Sequence, residues 1–293
     1  MSIPFEIVDV FTDRPMAGNQ LAVVTDARGL DAATMQAIAR EFNFAETSFL
    51  LPPEDPSNSA RVRIFTPTEE MPFAGHPNVG TAYVAARMGS LFGRPVGERL
   101  QFEEIAGLVV LDVRRNGGEI SGARCRAPRQ LSVGPEVPLP VVAELSGLSE
   151  QDFVLANFRP RFASVGAEFL LAEVTPEALE RARPIEAAFA AQEGRIGQTA
   201  GFLGLHLHAW IDADNLDVRM FAPLAGVSED PATGSAAAAL GAFLNRLDPA
   251  ITRLSMAQGR HIGRPSRIEV DATPHEVWIG GSCAPFAGGT LRA

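Results

Sequence analysis

The sequence predicts an α+β fold of two similar halves, each a curved sheet wrapped around its own buried helix. Two observations predict it. Val62-Arg63-Ile64-Phe65-Thr66-Pro67 returns 156 positions later as Val218-Arg219-Met220-Phe221-Ala222-Pro223. At the same offset, VGTAYVAA (79–86) falls on SAAAALGA (235–242), two stretches with almost no polar face. A helix apolar all round belongs in a core. Yet both open on polar, flexible residues, Gly75-His76-Pro77-Asn78 in one and Asp230-Pro231-Ala232-Thr233-Gly234-Ser235 in the other. The offset sets Ala74 opposite Asp230, Gly75 opposite Pro231 and His76 opposite Ala232. Unpaired N–H groups at such helix starts attract anions. The two starts are expected to face each other across a cleft between the halves.

In chain order, Phe5 to Phe11 reads as a strand, and Gln20 to Thr25 as a second after the turn Pro15-Met16-Ala17-Gly18-Asn19. Asp31 is placed to cap a helix to about Phe42, with Met35, Ile38, Ala39 and Phe42 on one face. Thr47 to Leu51 and Arg61 to Phe65 are strands separated by the loop PPEDPSNS. Pro77 stands in a first helical turn, where it is tolerated, and that helix ends near Gly89. Strands and turns follow to Arg126. The Pro-rich RAPRQLSVGPEVPLP (126–140) marks the boundary, giving halves 1–129 and 130–293. The order then repeats: strands at Phe153 to Leu155 and Glu168 to Val174, a helix from Thr175, strands around 205–212 and 216–221, and the second buried helix.

Composition narrows the chemistry. The chain has 293 residues, 46% apolar and 20% charged, enough for a large core. The formal charge of −10 and the scattered arginines offer no basic patch for nucleic acid. No apolar run spans a membrane, and the start reads as a strand, so a cytoplasmic protein is the simplest expectation. All 25 basic residues are Arg. Without Lys there is no Schiff-base nucleophile and no P-loop lysine.

Five segments carry a resemblance: VDVFTDRPMAGNQLAVV (8–24), NFAETSFL (43–50), RIFTPTEEMPFAGHPNVGTA (63–82), FAPLAGVSEDPATGSAAAAL (221–240) and QGRHIGRPSRI (258–268). Nearly the whole chain resembles the phenazine biosynthesis PhzF-like family, whose fold is that of diaminopimelate epimerase. Gln20 departs from the family pattern, which usually has Pro after Gly-Asn. The resemblance implies isomerisation of a small carboxylate of the dihydro-hydroxyanthranilate kind, no metal or organic cofactor, and a homodimer. It sets the family's catalytic Glu on Glu46, its His on His76, its Asp on Asp230 and its Ser on Ser235.

Beside that assignment stands what each residue offers alone. Glu46 is flanked by Phe42 and Phe44, and desolvation raises a carboxyl toward roughly 6–7, suited to taking and returning a proton; it also fits a solvated edge-strand position. His76 fits a cap, a structural hydrogen bond, a donor to a substrate oxygen or a second acid. Asp230 fits an N-terminal cap, or a partner that orients His76. Gly75, Asn78, Thr233, Gly234 and Ser235 offer N–H groups and hydroxyls for substrate binding, or simply caps. His206 and His208 share a strand face, but two ligands make a poor metal site, and none is expected. Epimerases and racemases of this fold use two opposed thiols. Ala74 and Asp230 stand at those positions here, with Cys125 and Cys283 elsewhere, so a two-thiol inversion is excluded. A cofactor-independent isomerase with Glu46 as proton shuttle is the leading expectation. An epimerase or dehydratase using Glu46 with Asp230, and a binding protein without turnover, are the alternatives.

Overall fold

The computed structural model describes residues 2–196 and 203–292. They form two compact units, Met1–Pro128 with Ile279–Ala293, and Arg129–Trp278. The division near residue 129 matches the Pro-rich stretch. The assignment of 279–293 to the second half is corrected: this segment pairs with strands of the first unit.

In the first unit the elements run β1 (Ser2–Val10), β2 (Asn19–Val24), α1 (Ala32–Phe42), β3 (Glu46–Leu51), β4 (Ala60–Phe65), β5 (Glu70–Met71), α2 (Gly75–Met88), the small hairpin β6 (Ser90–Leu91) and β7 (Arg94–Pro95), β8 (Arg99–Glu104), β9 (Gly107–Asn116) and β10 (Glu119–Arg126). The strand β19 (Val277–Arg292) returns to this unit. Pairing runs β1–β2–β3–β4–β8–β9–β10–β19 and back to β1, a closed barrel of eight strands. Closure leaves this ring without a free edge. α2 fills the barrel, and Gly75 to Ala86 are buried without interruption. Gly80 sets how close it comes. A Cβ there would lie 2.5 Å from Leu21 Cδ2 and 2.7 Å from Val10 Cγ2. α1 lies outside, capped by Asp31 accepting from the Thr34 N–H, with Met35, Ile38 and Ala39 packed on Val24, Phe49 and Phe65.

The second unit holds β11 (Ser132–Glu136), α3 (Leu139–Ser146), β12 (Arg161–Ser164), β13 (Glu168–Glu173), α4 (Pro176–Arg181), α5 (Glu186–Gln192), β14 (Leu205–Trp210), β15 (Asn215–Ala222), β16 (Val227–Asp230), α6 (Gly234–Leu247), β17 (Arg253–Gln258) and β18 (Ser266–Ala272). Its sheet order is β11–β12–β13–β14–β15–β17–β18. From β12 to β18 the pairings run antiparallel, parallel, antiparallel, parallel, antiparallel. The run from β1 through β4, β8 and β9 has that same series, so the repeat is topological as well as textual. Phe153 makes only an isolated bridge to Val174, and the strand expected at 153–155 is replaced by β12. α6 packs on β12, β13, β17 and β18, with Ala236 to Asn245 buried. Gly241 permits this, since a Cβ there would meet Val270 Cγ1 at 2.5 Å.

The offset changes inside the repeat. Ile64 pairs with Met71, and Met220 with Asp230. Three extra residues therefore enter between β15 and β16, where Pro223–Ala225 winds into a 3-10 turn. Both buried helices have 14 residues, beginning at Gly75 and Gly234. Helix start matched to helix start, Ala74 corresponds to Thr233 and His76 to Ser235, while Asp230 corresponds to Met71. The pairing of Ala74 with Asp230 is corrected accordingly. No helix among the described residues is long and apolar enough to cross a membrane.

Candidate active site

Glu46 opens β3 and lies beside Leu21 of β2 in parallel register. Alternation sends Thr47 and Phe49 to the α1 side, so Glu46 and Ser48 take the opposite face, toward α2. The Glu46 carboxylate comes to 3.6 Å from His76 Nε2, and the side chains are 18% and 5% exposed. Burial pushes the His76 pKa down to about 3, against a weaker opposing effect from a backbone hydrogen bond with Gln20. Nε2 is buried and has no hydrogen-bond partner among the described residues, so that bond belongs to Nδ1. Burial keeps the imidazole neutral, and with Nδ1 donating to the Gln20 carbonyl it presents the Nε2 lone pair. Toward Glu46 it is an acceptor: it can hold the proton of a protonated Glu46, and imidazolium acid chemistry is disfavoured at this site. Gln20, the departure from the family pattern, supplies the backbone oxygen that sets this tautomer.

The first turn of α2 has no side-chain cap. Pro77 has no N–H, so Gly75 and His76 carry the open donors of that turn. Asn78 is fully buried and turns inward, Nδ2 donating to Ala74 O at 3.0 Å.

In the second unit, Asp230 ends β16 and is buried. It does not cap α6; the N-cap position is Thr233, which also lacks a side-chain cap bond. The Thr233 hydroxyl instead donates to Asp230 Oδ2 at 2.5 Å. Gln258 ties the turn together. Its Nε2 donates to Asp230 O at 2.8 Å and Thr233 Oγ1 at 3.0 Å, while its Oε1 accepts from the Thr233 N–H at 3.1 Å. Gly234 is buried and Ser235 half-buried in the first turn of α6. Gln258 was not singled out from the sequence, although it opens QGRHIGRPSRI, one of the segments carrying the resemblance.

Both cysteines are buried, Cys125 in β10 and Cys283 in β19. Desolvation raises the Cys125 thiol well above its usual range and Cys283 to about 12. Neither is a thiolate acid/base group. His206 and His208 share one face of β14, fully buried, with pKa values pushed down to about 3 by desolvation. Neither ring nitrogen of His206 has a hydrogen-bond partner among the described residues; His208 faces the Ala172 backbone, its Nε2 lies 3.8 Å from the Glu173 carboxylate, and Phe158 stacks on it. Glu180, Asp217 and His261 also gather closely enough to suggest a cation. Arg260 already occupies that cluster, paired with both carboxylates, so it reads as an ion-pair network.

Known proteins carry the same arrangement of elements. A family model described as phenazine biosynthesis-like protein matches residues 8–289. An uncharacterised isomerase of Mesorhizobium japonicum is 37% identical, the alignment covering 97% of each chain. The trans-2,3-dihydro-3-hydroxyanthranilate isomerase of Pseudomonas aeruginosa is 33% identical over 97% of this chain and 98% of its own. The crystal structure of a Bacillus anthracis phenazine biosynthesis protein of the PhzF family superposes with a TM-score of 0.86 at 25% identity, covering all of both chains. With the paired series of strands, the two buried helices and these matches together, the chain belongs to the phenazine biosynthesis-like, or PhzF-like, family of isomerases.

Proposed function

We propose that the protein moves a proton between two carbons of a small carboxylate resembling trans-2,3-dihydro-3-hydroxyanthranilate, with Glu46 removing and returning the proton. The observation that carries this reading is the Glu46 carboxylate 3.6 Å from a buried, neutral His76. In the first step a substrate C–H bond breaks, its electron pair stays in the conjugated system leading to the substrate carboxylate, and Glu46 gains the proton. His76 Nε2 accepts a hydrogen bond from the new Glu46 acid and holds its proton in place. In the second step that proton goes to the other carbon, and the Glu46 carboxylate is restored. Open N–H groups at the start of α2 stabilise the negative charge that builds on the substrate. Asp230, accepting from the Thr233 hydroxyl, is read as a group that shapes its helix start rather than as the proton donor. The homodimer and the small anionic partner belong to the same proposal.

The test is turnover of trans-2,3-dihydro-3-hydroxyanthranilate in deuterated water, followed by NMR, for the wild type and Glu46→Gln. Gln keeps the shape but cannot accept the proton. Loss of the general base costs about 10²–10⁴-fold. Full turnover by Glu46→Gln refutes the role of Glu46, and an unreactive wild type refutes this substrate class.

A further inference from the structure

Glu104 ends β8, directly before the turn that leads into β9. The residue as a whole is only half-buried, yet both carboxyl oxygens are sealed from solvent, and among the described residues neither makes a well-formed hydrogen bond. The turn is fastened to the entry of α2, because the Ala106 N–H donates to Pro72 O at 3.0 Å. The polar side chain facing Glu104 from α2 is Asn78. Asn78 Oδ1 is likewise buried and unpartnered, while Nδ2 serves Ala74 O. From β10 the titratable neighbour is the Cys125 thiol, itself neutral, with Arg126 beside it. A carboxylate here could take the Asn78 amide N–H but would leave Asn78 Oδ1 without a donor. A carboxylic acid supplies the missing O–H.

We infer that Glu104 is a neutral carboxylic acid whose O–H donates to Asn78 Oδ1, making it a positioning residue for the first turn of α2. Ionising it removes that donor and places a negative charge beneath a helix start that, on the reading proposed above, receives the substrate carboxylate. Anion binding then weakens. Desolvation pushes the Glu104 pKa up to about 8, with Asn78 acting weakly in the opposite direction, so the change falls just above neutral pH.

The experiment has a ligand-free arm and a ligand arm. In the first, backbone amide resonances of Gly75, His76 and Asn78 are followed by NMR from pH 6 to 10 in wild type and Glu104→Gln. We expect all three to shift in one transition near pH 8 in the wild type and to stay still in Glu104→Gln, whose amide keeps a donor for Asn78. Still resonances in the wild type, or the same transition in Glu104→Gln, overturn the inference. In the second arm, anthranilate is titrated as an unreactive carboxylate probe. Its affinity should fall about tenfold per pH unit above the transition in the wild type and remain level in Glu104→Gln. Glu104→Ala should bind more weakly at every pH, and wild-type affinity in Glu104→Ala counts against positioning. If anthranilate binds none of the proteins, the substrate reading fails on its own and the amide titration still decides the role of Glu104.

Discussion

Mild acid is expected to destabilise this protein, and the magnitude follows from its buried histidines. His76, His206 and His208 all have native pKa values near 3, from desolvation. In the unfolded chain they titrate near 6.5. Between those limits the unfolded state binds one more proton at each site, so stability falls as the pH drops. The slope is about 1.4 kcal/mol per pH unit per histidine, or roughly 4 for three. Glu104 works the other way. Its native pKa is raised, so its contribution is full below about 4.5 and is lost as the pH rises through about 8. Over the shared window it offsets about 1.4 kcal/mol per unit. The net loss from pH 6.5 to 5 is thus roughly 4 kcal/mol, against typical total stabilities of about 5–15. Glu173, raised chiefly by burial, acts in the sense of Glu104 and makes that figure an upper one. Urea unfolding at both pH values reads the difference. His206→Gln should flatten the acid slope by about 1.4 kcal/mol per unit, and Glu104→Gln should steepen it by as much. A wild-type loss below about 1 kcal/mol, or an unchanged slope in His206→Gln, refutes the reasoning.

Gln258→Leu removes the acceptor of the buried Thr233 N–H. At about 1–3 kcal/mol for an unsatisfied buried group, urea unfolding should show a loss of about 1–3 kcal/mol. Gly80→Ala drives a methyl group into Leu21 and Val10; overpacking of about 1–3 kcal/mol outweighs a helix-propensity gain of about 1, so the urea midpoint should fall. Asp230→Asn keeps an acceptor for Thr233 but removes the carboxyl group that could transfer a proton. Turnover should drop less than in Glu46→Gln, and a loss as large as that of Glu46→Gln would make Asp230 a proton-transfer group.

The repeated VRIFTP segment and the two alanine-rich helices made the duplicated architecture legible, because a helix without a polar face has one place to go. The shift from 156 to 159 was hidden, since turn lengths leave little mark on apolar pattern. Glu46 and His76 could be named from their motifs. Their mutual distance, and the acceptor face of His76, depend on the Gln20 backbone oxygen, which carries no residue-specific signal. Glu104 was invisible as a buried acid because it follows Glu103 in FEEIAG, and two adjacent acids read as a solvated strand end. Gln258 was hidden for a related reason: an amide shows its value only once the groups it bridges are placed.

The return of β19 has a consequence for synthesis. The second unit is an insertion between β10 and β19, so the ring of the first unit lacks one stave until β19 leaves the ribosome. Until then β1 and β10 present open edges for the whole time that about 150 intervening residues are made, some tens of seconds at ordinary elongation rates. Exposed strand edges recruit other strands. Nascent chains stalled before residue 277 should therefore bind chaperones or aggregate, and supplying the β19 segment as a separate peptide should rescue them.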